Sequence, residues 1–565
     1  MSTSTSTSTS TTSTSSTRTS RTTRRRLLQH TAAVGGATAA LTLPGVGSAA
    51  ATGPRAGQGA ANPADFGAVT VRRDDPRYPE LTHGTNQRWV GRPEYVRLVS
   101  SAEQVVAAVQ EAVRDGKRIA VRSGGHCYED FVNNAEVQVV IDMSEMAEIT
   151  YDAGRRAFAV EPGAMLSEVY DKLYKVWGVT IPGGSCPSVG AGGHIVGGGY
   201  GALSRKFGLT VDHLYGVEVV VVDESGRARR VVATRDSADP ELRELWWAHT
   251  GGGGGNFGVI TKYWLRSPGA TGDDPTRLLP RPPAELLVST VSWPWEGLTK
   301  QGFQRLLTNY TTWFERNSAP DSPALGLFSQ LKPFHRSAGS ILMVTQIDAT
   351  RPEAERELAD FIAFVSDGVG VPAQESKPQR LPWLHGTKWP GFAGGDPTLR
   401  FEDKSAYMRK GFPKSQLAAI HRQLTRTDYA NGAALMIIAG YGGRINAVPS
   451  TATAVPQRDS ILKLQYLAFW SDPAEDAKHS GWVREFYQDV YAESGGVPVP
   501  GRVTDGCFIN YADKEMADPR WNKSGVPWHS LYYKGNYPRL QRAKATWDPR
   551  NVFRHGLSIE GAGAR

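Results

Sequence analysis

Three glycine-rich segments in the first half of the chain hold the residue types that could bind a cofactor and react with it. Residues 122–128 read R-S-G-G-H-C-Y, residues 182–194 contain Cys186 and His194, and residues 251–258 hold five glycines followed by N-F-G. Glycine has no Cβ, so backbone N–H groups in such loops can converge on an anion such as a pyrophosphate. Three such segments in one domain, two of them with a histidine or cysteine, predict a cradle for a phosphate-bearing cofactor.

Two other kinds of site are compatible with parts of the same sequence. Residues 197–202 fit the loose glycine pattern of a dinucleotide-binding turn, and Asp223 ends a later strand-like run, but no apolar strand leads directly into those glycines. The histidines and cysteines of the first two segments could ligate zinc, although the paired short spacing of zinc ligands is absent. Taken singly, His194 is typical of a hydrogen-bonded loop residue. We therefore assign no metal ligand.

The charge of the chain gives no reason to expect a nucleic acid or an anionic membrane as partner. The chain has 565 residues and a formal net charge of +8. Five of its 64 basic residues lie within residues 1–50, which hold no acidic residue, so the rest is nearly balanced against 56 acidic residues. A chain of this length exceeds one ordinary core, which predicts two domains or closely joined subdomains.

Residues 1–50 have the pattern of a twin-arginine export signal. A serine and threonine tract precedes Arg24 and Arg25, and a weakly apolar stretch at 31–43 leads to the small residues 45–51. The apolar part is too short and too weak to span a bilayer, which argues against a stable membrane anchor. We expect export through the twin-arginine machinery, secretion, and a linker and lead-in at 51–91.

Cysteine usage argues against a disulfide framework. The chain has only Cys127, Cys186 and Cys507, whereas exported proteins stabilised by disulfides usually hold a larger, even number. One bridge with one thiol left over is compatible with this number. A Cys186 that is bonded to another group is also compatible with this number.

The order of predicted elements favours an α+β or mixed α/β fold. Ser101 is a plausible N-cap for a helix at 101–116, with Gln104 three residues on. Further helices are predicted at 164–176, 301–314 and 352–365. Strands are predicted at 118–121, 137–141, 157–160, 216–223, 325–331, 340–347, 433–441 and 462–469. The later strands with their intervening helices predict one antiparallel sheet flanked by helices.

Around His126 and Cys186 the sequence resembles the berberine bridge enzyme-like oxidases of the vanillyl-alcohol oxidase (PCMH-type) fold family. It is most similar to secreted actinobacterial members that oxidise antibiotic sugars and alcohols. The motif R-S-G-G-H is complete at 122–126, and G-x-C-x-x-V-G-x-G-G-H is complete at 184–194. The resemblance runs from Asp74 to Ile559. It implies bicovalent FAD, linked through His126 to the flavin 8α-methyl group and through Cys186 to flavin C6.

The C-terminal segment extends the resemblance to catalytic residues. Residues 510–513 and 532–537 are similar to the closing segment that borders the flavin in this family, which implies Tyr511 as base and Tyr441 as its partner or a second base. A free tyrosine is a poor base at neutral pH, so a cation or second hydroxyl must lower its pKa. The expected FAD contacts are Arg122, Ser123, Gly124, Gly125, His126, Gly184, Cys186, Val189, Gly190, Gly193, His194, Gly198, Asn256, Gly258, Val259 and Asn536.

The resemblance also implies the domain order and the reaction. A two-part FAD-binding domain at 92–268 is completed by residues 506–559, with a substrate domain at 269–505 between them. The enzyme would oxidise a small-molecule alcohol, a natural-product sugar or polyketide hydroxyl, and return the electrons to O2 as H2O2. An oligosaccharide oxidase and a flavin-containing protein that sequesters an aromatic compound stay as alternatives. Trp383, Trp389 and Phe392 could line the substrate pocket or belong to the core.

Overall fold

Two small sheets make up the N-terminal half. The computed structural model describes residues 67–392 and 397–561, so the predicted export signal and the first part of the predicted linker lie outside the described residues. The first sheet has the order β1-β2-β4-β3. Strands β1 and β2 pair antiparallel, and the other neighbouring strands pair parallel. Its strands are β1 (Val69–Arg72), β2 (Tyr95–Leu98), β3 (Ile119–Arg122) and β4 (Val139–Asp142).

The second sheet is antiparallel and has the order β5-β6-β9-β7-β8. Its strands are β5 (Ile149–Asp152), β6 (Ala157–Val160), β7 (Leu214–Val222), β8 (Ala228–Thr234) and β9 (Val259–Leu265). The helices of this half are α1 (Tyr78–Leu81), α2 (Ala102–Arg114), α3 (Leu166–Trp177), α4 (Ala191–Val196), α5 (Ser204–Phe207) and α6 (Pro240–Ala248).

Helix α2 shows how local sequence sets an element. Ser101 Oγ accepts the backbone N–H of Gln104, and the apolar face with Val105 and Val109 is buried. The Gln104 side chain accepts the N–H of Ser100 rather than that of Ser101. The predicted N-cap is therefore present, with the glutamine closing on the residue before it.

The third sheet is a broad antiparallel layer in the second half. It has the order β13-β10-β12-β11-β16-β17-β15, and β14 pairs with β10. Its strands are β10 (Glu285–Pro294), β11 (Leu327–Pro333), β12 (Ser340–Asp348), β13 (Gln374–Glu375), β14 (Gln379–Pro382), β15 (Arg400–Met408), β16 (Ala434–Gly440) and β17 (Leu462–Trp470). Helices α7 (Lys300–Arg316), α8 (Ala354–Ser366), α9 (Trp383–Gly386), α10 (Lys414–Thr425) and α11 (Asp476–Val490) accompany it. The predicted α+β class and antiparallel sheet are confirmed.

Strand β15 was not among the predicted strands, for a physical reason. Its sequence places three consecutive charged residues, Glu402, Asp403 and Lys404, in a buried strand, and charged residues are rarely buried unless they are paired. Partners from distant parts of the chain make this burial tolerable: Glu402 pairs with Arg88, and Lys404 pairs with Asp513. These pairs form only in the folded chain.

The C-terminal segment returns to the N-terminal half through α12 (Trp528–Tyr533) and α13 (Tyr537–Trp547). Lys544 is buried and donates to the carbonyl of Asn256 at 2.7 Å and to Asp548 at 2.6 Å. Trp547 donates to the Glu241 carbonyl at 3.2 Å. One hydrophobic core contains residues of both halves and of this segment. No helix in the described part of the chain is both long and apolar enough to cross a bilayer.

Candidate active site

A cavity lies between the glycine-rich loops and the large sheet. The loop after β3, the loop before α4 and the loop before β9 form one side of it, and strands β11, β16 and β17 contribute the other. The C-terminal segment closes the remaining side with Phe508, Asn510 and Tyr511. The expected FAD contacts that line it are Arg122, Ser123, Gly124, Gly125, His126, Gly184, Cys186, Val189, Gly190, Gly193, His194, Asn256 and Gly258.

His126 and Cys186 meet at one serine. His126 Nε2 lies 3.0 Å from Ser188 Oγ, and Cys186 Sγ lies 3.7 Å from the same oxygen. Burial, and secondarily the charge of Arg122, lowers the pKa of His126 to about 4, so its imidazole is neutral at pH 7. Neutral imidazole has a free nitrogen lone pair, which a bond to carbon requires. All three cysteines are unpaired, so Cys186 is not consumed by a disulfide.

The first two loops approach too closely for side chains at their contact. A Cβ on Gly190 would overlap Ser123 Oγ and the backbone of Gly124. Ser123 in turn donates to the Pro162 carbonyl at 2.6 Å, which fixes this loop beneath β3. Gly124 and Gly190 are therefore required by packing at the contact between the two loops.

His194 supports the loop that carries Cys186. Its Nε2 accepts the N–H of Gly184 at 3.0 Å, and its carbonyl accepts the Asn510 amide at 3.0 Å. Burial, with a smaller effect of Lys463, lowers the pKa of His194 to about 4, which keeps Nε2 free to accept. His194 lines the cavity as expected and also joins the C-terminal segment to the flavin half.

Two stacked tyrosines and a lysine also line the cavity. The rings of Tyr128 and Tyr511 are 5.1 Å apart and nearly parallel. Lys463 Nζ lies 3.9 Å from the centre of the Tyr511 ring. Burial raises the pKa of Tyr511, and the charges of Asp403 and Cys186 raise it further. Burial lowers the pKa of Lys463 well below its usual value, and Asp403 opposes this shift. A phenol and an amine with opposed shifts are typical of a site that moves protons.

Tyr441 and Asn536 lie outside the cavity wall, contrary to expectation. Tyr441 is fully buried, and its hydroxyl donates to the Gln457 carbonyl at 3.1 Å. The Asn536 amide donates to the Ser450 carbonyl at 2.8 Å, so it ties the C-terminal segment to a neighbouring loop. Neither residue is among those that line the cavity.

Gly198 and Val259 are also outside the cavity wall. Val259 belongs to a separate core cluster, while Gly258 and Ile260 on either side of it line the cavity. A Cβ on Gly198 would lie 3.0 Å from the Val455 side chain, and its φ of +122° favours glycine. Both residues therefore belong to the packing around the cavity and not to its lining.

Several cavity residues escaped the sequence analysis. Lys463 and Gln465 alternate with apolar residues on the buried strand β17, and two polar residues at this spacing in an apolar strand were a usable signal. Tyr128 stood inside the first motif without an assigned role. Other lining residues that were missed are Phe131, Tyr200, Phe328, Gln330, Phe508, Asn510, Arg554 and His555.

The three aromatic residues with an open assignment divide between core and cavity border. Trp383 is buried and packs on Tyr174 with ring centres 5.0 Å apart, so it belongs to the core. The ring centres of Phe392 and the cavity residue Phe328 are 5.1 Å apart, and those of Trp389 and Phe392 are 5.3 Å apart. These two residues back the cavity wall.

The residues present fit an FAD molecule. The glycine-rich loops line the cavity with little side-chain bulk, and a neutral histidine and an unpaired cysteine line it as well. No group of three or more metal-ligating side chains occurs among the described residues, and the zinc alternative gains no support from the geometry.

Comparisons with known proteins agree with this geometry. Residues 93–231 match the FAD binding domain family, and residues 507–560 match the family described as berberine and berberine like. The chain is 52% identical to aclacinomycin-N/aclacinomycin-A oxidase of Streptomyces galilaeus, over 96% of this chain and 99% of that protein. It is 34% identical to hexose oxidase of Chondrus crispus, over 88% and 95% of the two chains.

A solved structure gives the same result. The crystal structure of a glycopeptide hexose oxidase complexed with teicoplanin matches with a TM-score of 0.83 and 54% identity, over 87% of this chain and 99% of that chain. The resemblance stated from the two motifs is therefore confirmed. The chain belongs to the berberine bridge enzyme-like family of FAD-dependent oxidases.

Proposed function

We propose that this oxidase acts outside the cell on a hydroxyl group of a glycosylated or polyketide natural product, with FAD attached to both His126 and Cys186. The observation that carries the proposal is the Tyr128–Tyr511 stack, which lines the same cavity as His126 and Cys186. The relatives named above act, by their names, on an aclacinomycin and on hexoses. A sugar-bearing substrate is the class that these relatives share.

Covalent attachment is supported by the position of Ser188 between the two attachment residues. Its hydroxyl is within 3.7 Å of both the imidazole and the thiol, so one planar ring system lying there could be reached from both sides. When bound, FAD accepts a hydride from the substrate carbon and passes the electrons to O2, which yields H2O2. Two links would also retain the cofactor outside the cell.

Tyr511 is the proposed acceptor of the substrate hydroxyl proton. Its own pKa is raised by burial, so a positive neighbour is needed to stabilise the phenolate. Lys463 is assigned this part: its Nζ lies 3.9 Å from the centre of the Tyr511 ring, and its amine, which burial keeps neutral, becomes the positive neighbour once it has received a proton. Tyr128 supplies the second hydroxyl, the part that the sequence analysis gave to Tyr441.

The cavity wall suits a flat or sugar-like molecule. Phe328, Phe508 and Tyr200 join the tyrosine pair in lining it, and aromatic faces pack well against sugar rings and aromatic aglycones. Gln330 and Gln465 provide amides from the large sheet for hydroxyl groups. This mixture of aromatic rings and amides favours a glycosylated aromatic compound over a plain oligosaccharide.

A substrate screen tests the proposal. The holoenzyme is offered glycosylated polyketides, glycopeptides, hexoses and oligosaccharides, and both H2O2 release and anaerobic loss of flavin colour are measured. We expect the best substrate among the glycosylated natural products. Oxidation of oligosaccharides alone would replace the proposed substrate class, and tight binding without loss of flavin colour would favour sequestration.

A further inference from the structure

A buried carboxyl group lies next to the sheet wall of the cavity. Asp403 on β15 is 5% exposed. Ser405 on the same strand is paired with Gln465 on β17, and side chains two residues apart share a face, so Asp403 and Gln465 face the same side of the sheet. Gln465 Nε2 donates to Asp403 Oδ2 at 2.7 Å, and Gln465 itself lines the cavity. Asp403 is thus one hydrogen bond away from the substrate space.

The other oxygen of Asp403 indicates a neutral carboxylic acid. Within the described part of the chain, Oδ1 is buried and has no hydrogen-bond partner, and the adjacent Lys404 pairs with Asp513 instead. A buried carboxylate with an unpartnered oxygen is strongly disfavoured, whereas a protonated acid holds its hydrogen there. Burial accordingly raises the pKa of Asp403 to about 8, against the opposing effects of Gln465 and Lys463.

Asp403 is connected to the tyrosine pair through one amide. A hydrogen bond from Gln465 lowers the pKa of Tyr128 against the effect of burial, so the same amide serves Asp403 and Tyr128. Tyr128 in turn stacks on Tyr511. The chain of contacts therefore runs from a carboxyl group outside the cavity to the proposed proton acceptor inside it.

We propose that Asp403 is a positioning residue for alcohol oxidation, which as a neutral acid fixes the Gln465 amide against the Tyr128–Tyr511 pair and keeps negative charge away from the substrate hydroxyl. The inference rests on the proposed oxidation at Tyr511. A charge on Asp403 raises the pKa of Tyr511 and of Tyr128, so an ionised Asp403 opposes removal of the hydroxyl proton. Ionisation of a phenol base alone would instead make the rate rise with pH.

The pH dependence of flavin reduction separates these two behaviours. With Asp403 intact, the rate of anaerobic reduction falls as the pH rises past 8, because the carboxyl group ionises there. The change Asp403→Asn keeps a neutral group of the same shape, so it should remove this fall and keep most of the rate at neutral pH. Asp403→Ala loses the partner of Gln465 and should slow reduction about tenfold at neutral pH.

Glu129 offers a matched control. Burial also raises its pKa to about 8, and its Oε2 likewise accepts no hydrogen bond in the described chain, although Lys514 Nζ lies 3.7 Å from it. Glu129 does not line the cavity. Glu129→Gln should therefore keep the alkaline fall. The charged groups that act on Asp403 are Lys463, Glu402 and Asp513, and Lys463→Met measured in parallel reports the contribution of the amine.

A second measurement does not depend on turnover. Infrared difference spectra recorded on either side of pH 8 should show protonated carboxyl bands that disappear on ionisation, one missing in Asp403→Asn and the other missing in Glu129→Gln. An unchanged alkaline fall in Asp403→Asn, its loss in Glu129→Gln, or wild-type spectra without the Asp403 band would overturn the inference. If no alcohol reduces the flavin, the proposed function fails, while the infrared titration still tests Asp403.

Discussion

The side-chain amide of Asn510 donates to the carbonyl of His194 at 3.0 Å and occupies the space beside Gly197. Through this contact the C-terminal segment with Tyr511 is fixed to the end of α4, which follows the Cys186 loop. The proposed base and the proposed flavin link are therefore held in one arrangement by a hydrogen bond between segments far apart in sequence. A larger side chain at residue 197 would therefore disturb both the segment with Tyr511 and the loop with Cys186.

Gly197→Ala should destabilise the enzyme and disturb the active site together. A Cβ at this position would overlap the Asn510 amide, so the amide must leave His194. Overpacking of this kind costs about 1–3 kcal/mol, and we expect a lower unfolding temperature and slower flavin reduction.

Gly481→Ala is the matched control, because nothing lies within 4 Å of its Cβ position in helix α11. That change should stabilise the protein by about 0.5–1 kcal/mol. Equal stability of Gly197→Ala and wild type would show that Asn510 is not held at this place.

The proposed covalent links predict a flavin that survives denaturation. Acid-precipitated wild-type protein should stay yellow, and digestion should give one flavin mass joined to peptides with His126 and Cys186. His126→Ala should keep the flavin through Cys186, and Cys186→Ala should keep it through His126, each with a lower reduction potential. Colourless precipitate from fully loaded wild-type enzyme would reject covalent attachment.

The sequence predicted elements whose determinants are local. The N-cap of Ser101 and the apolar spacing behind it placed α2 within two residues at each end. The buried strands β11, β12, β16 and β17 were likewise identified from apolar runs. Strand β15 was not, because Glu402 and Lys404 are tolerable inside the protein only beside Arg88 and Asp513, which arrive from distant parts of the chain.

The same distinction applies to the site. Motif residues such as His126 and Cys186 could be named from sequence, because their function depends on a short pattern. The partners of Tyr511 could not be named from sequence. Tyr128 and Lys463 reach it only because the first loop packs against β17. Tyr441 matched a family position, but its hydroxyl is taken by the Gln457 carbonyl.

Secretion is predicted to depend on Arg24 and Arg25. The pair precedes a weakly apolar stretch and the small residues 45–51, and we expect cleavage within residues 49–51. Replacing both arginines by lysine keeps the charge and should abolish the mature protein in the culture medium, with precursor retained in the cells. The measurement is an immunoblot of both fractions. Unchanged secretion would reject the twin-arginine route.

Tyr511→Phe should slow flavin reduction without loss of the fold or of the flavin links. The change removes the hydroxyl and keeps the ring that stacks on Tyr128 and lies beneath Lys463. Loss of general-base assistance typically costs about a hundred- to ten-thousandfold in rate, and we expect the decrease within that range. Anaerobic stopped-flow reduction across pH is the measurement.

Tyr441→Phe is the control for this prediction. Its hydroxyl bonds the Gln457 carbonyl and Tyr407, and neither partner lines the cavity. Its loss should therefore lower stability by about 1 kcal/mol and leave the reduction rate close to wild type. The flavin reduction rate of Tyr128→Phe should lie between the rates of these two variants, because the change removes the neighbouring hydroxyl but not the proposed base. If Tyr511→Phe reduces at the wild-type rate while Tyr128→Phe does not, Tyr128 is the base and the two tyrosines exchange roles.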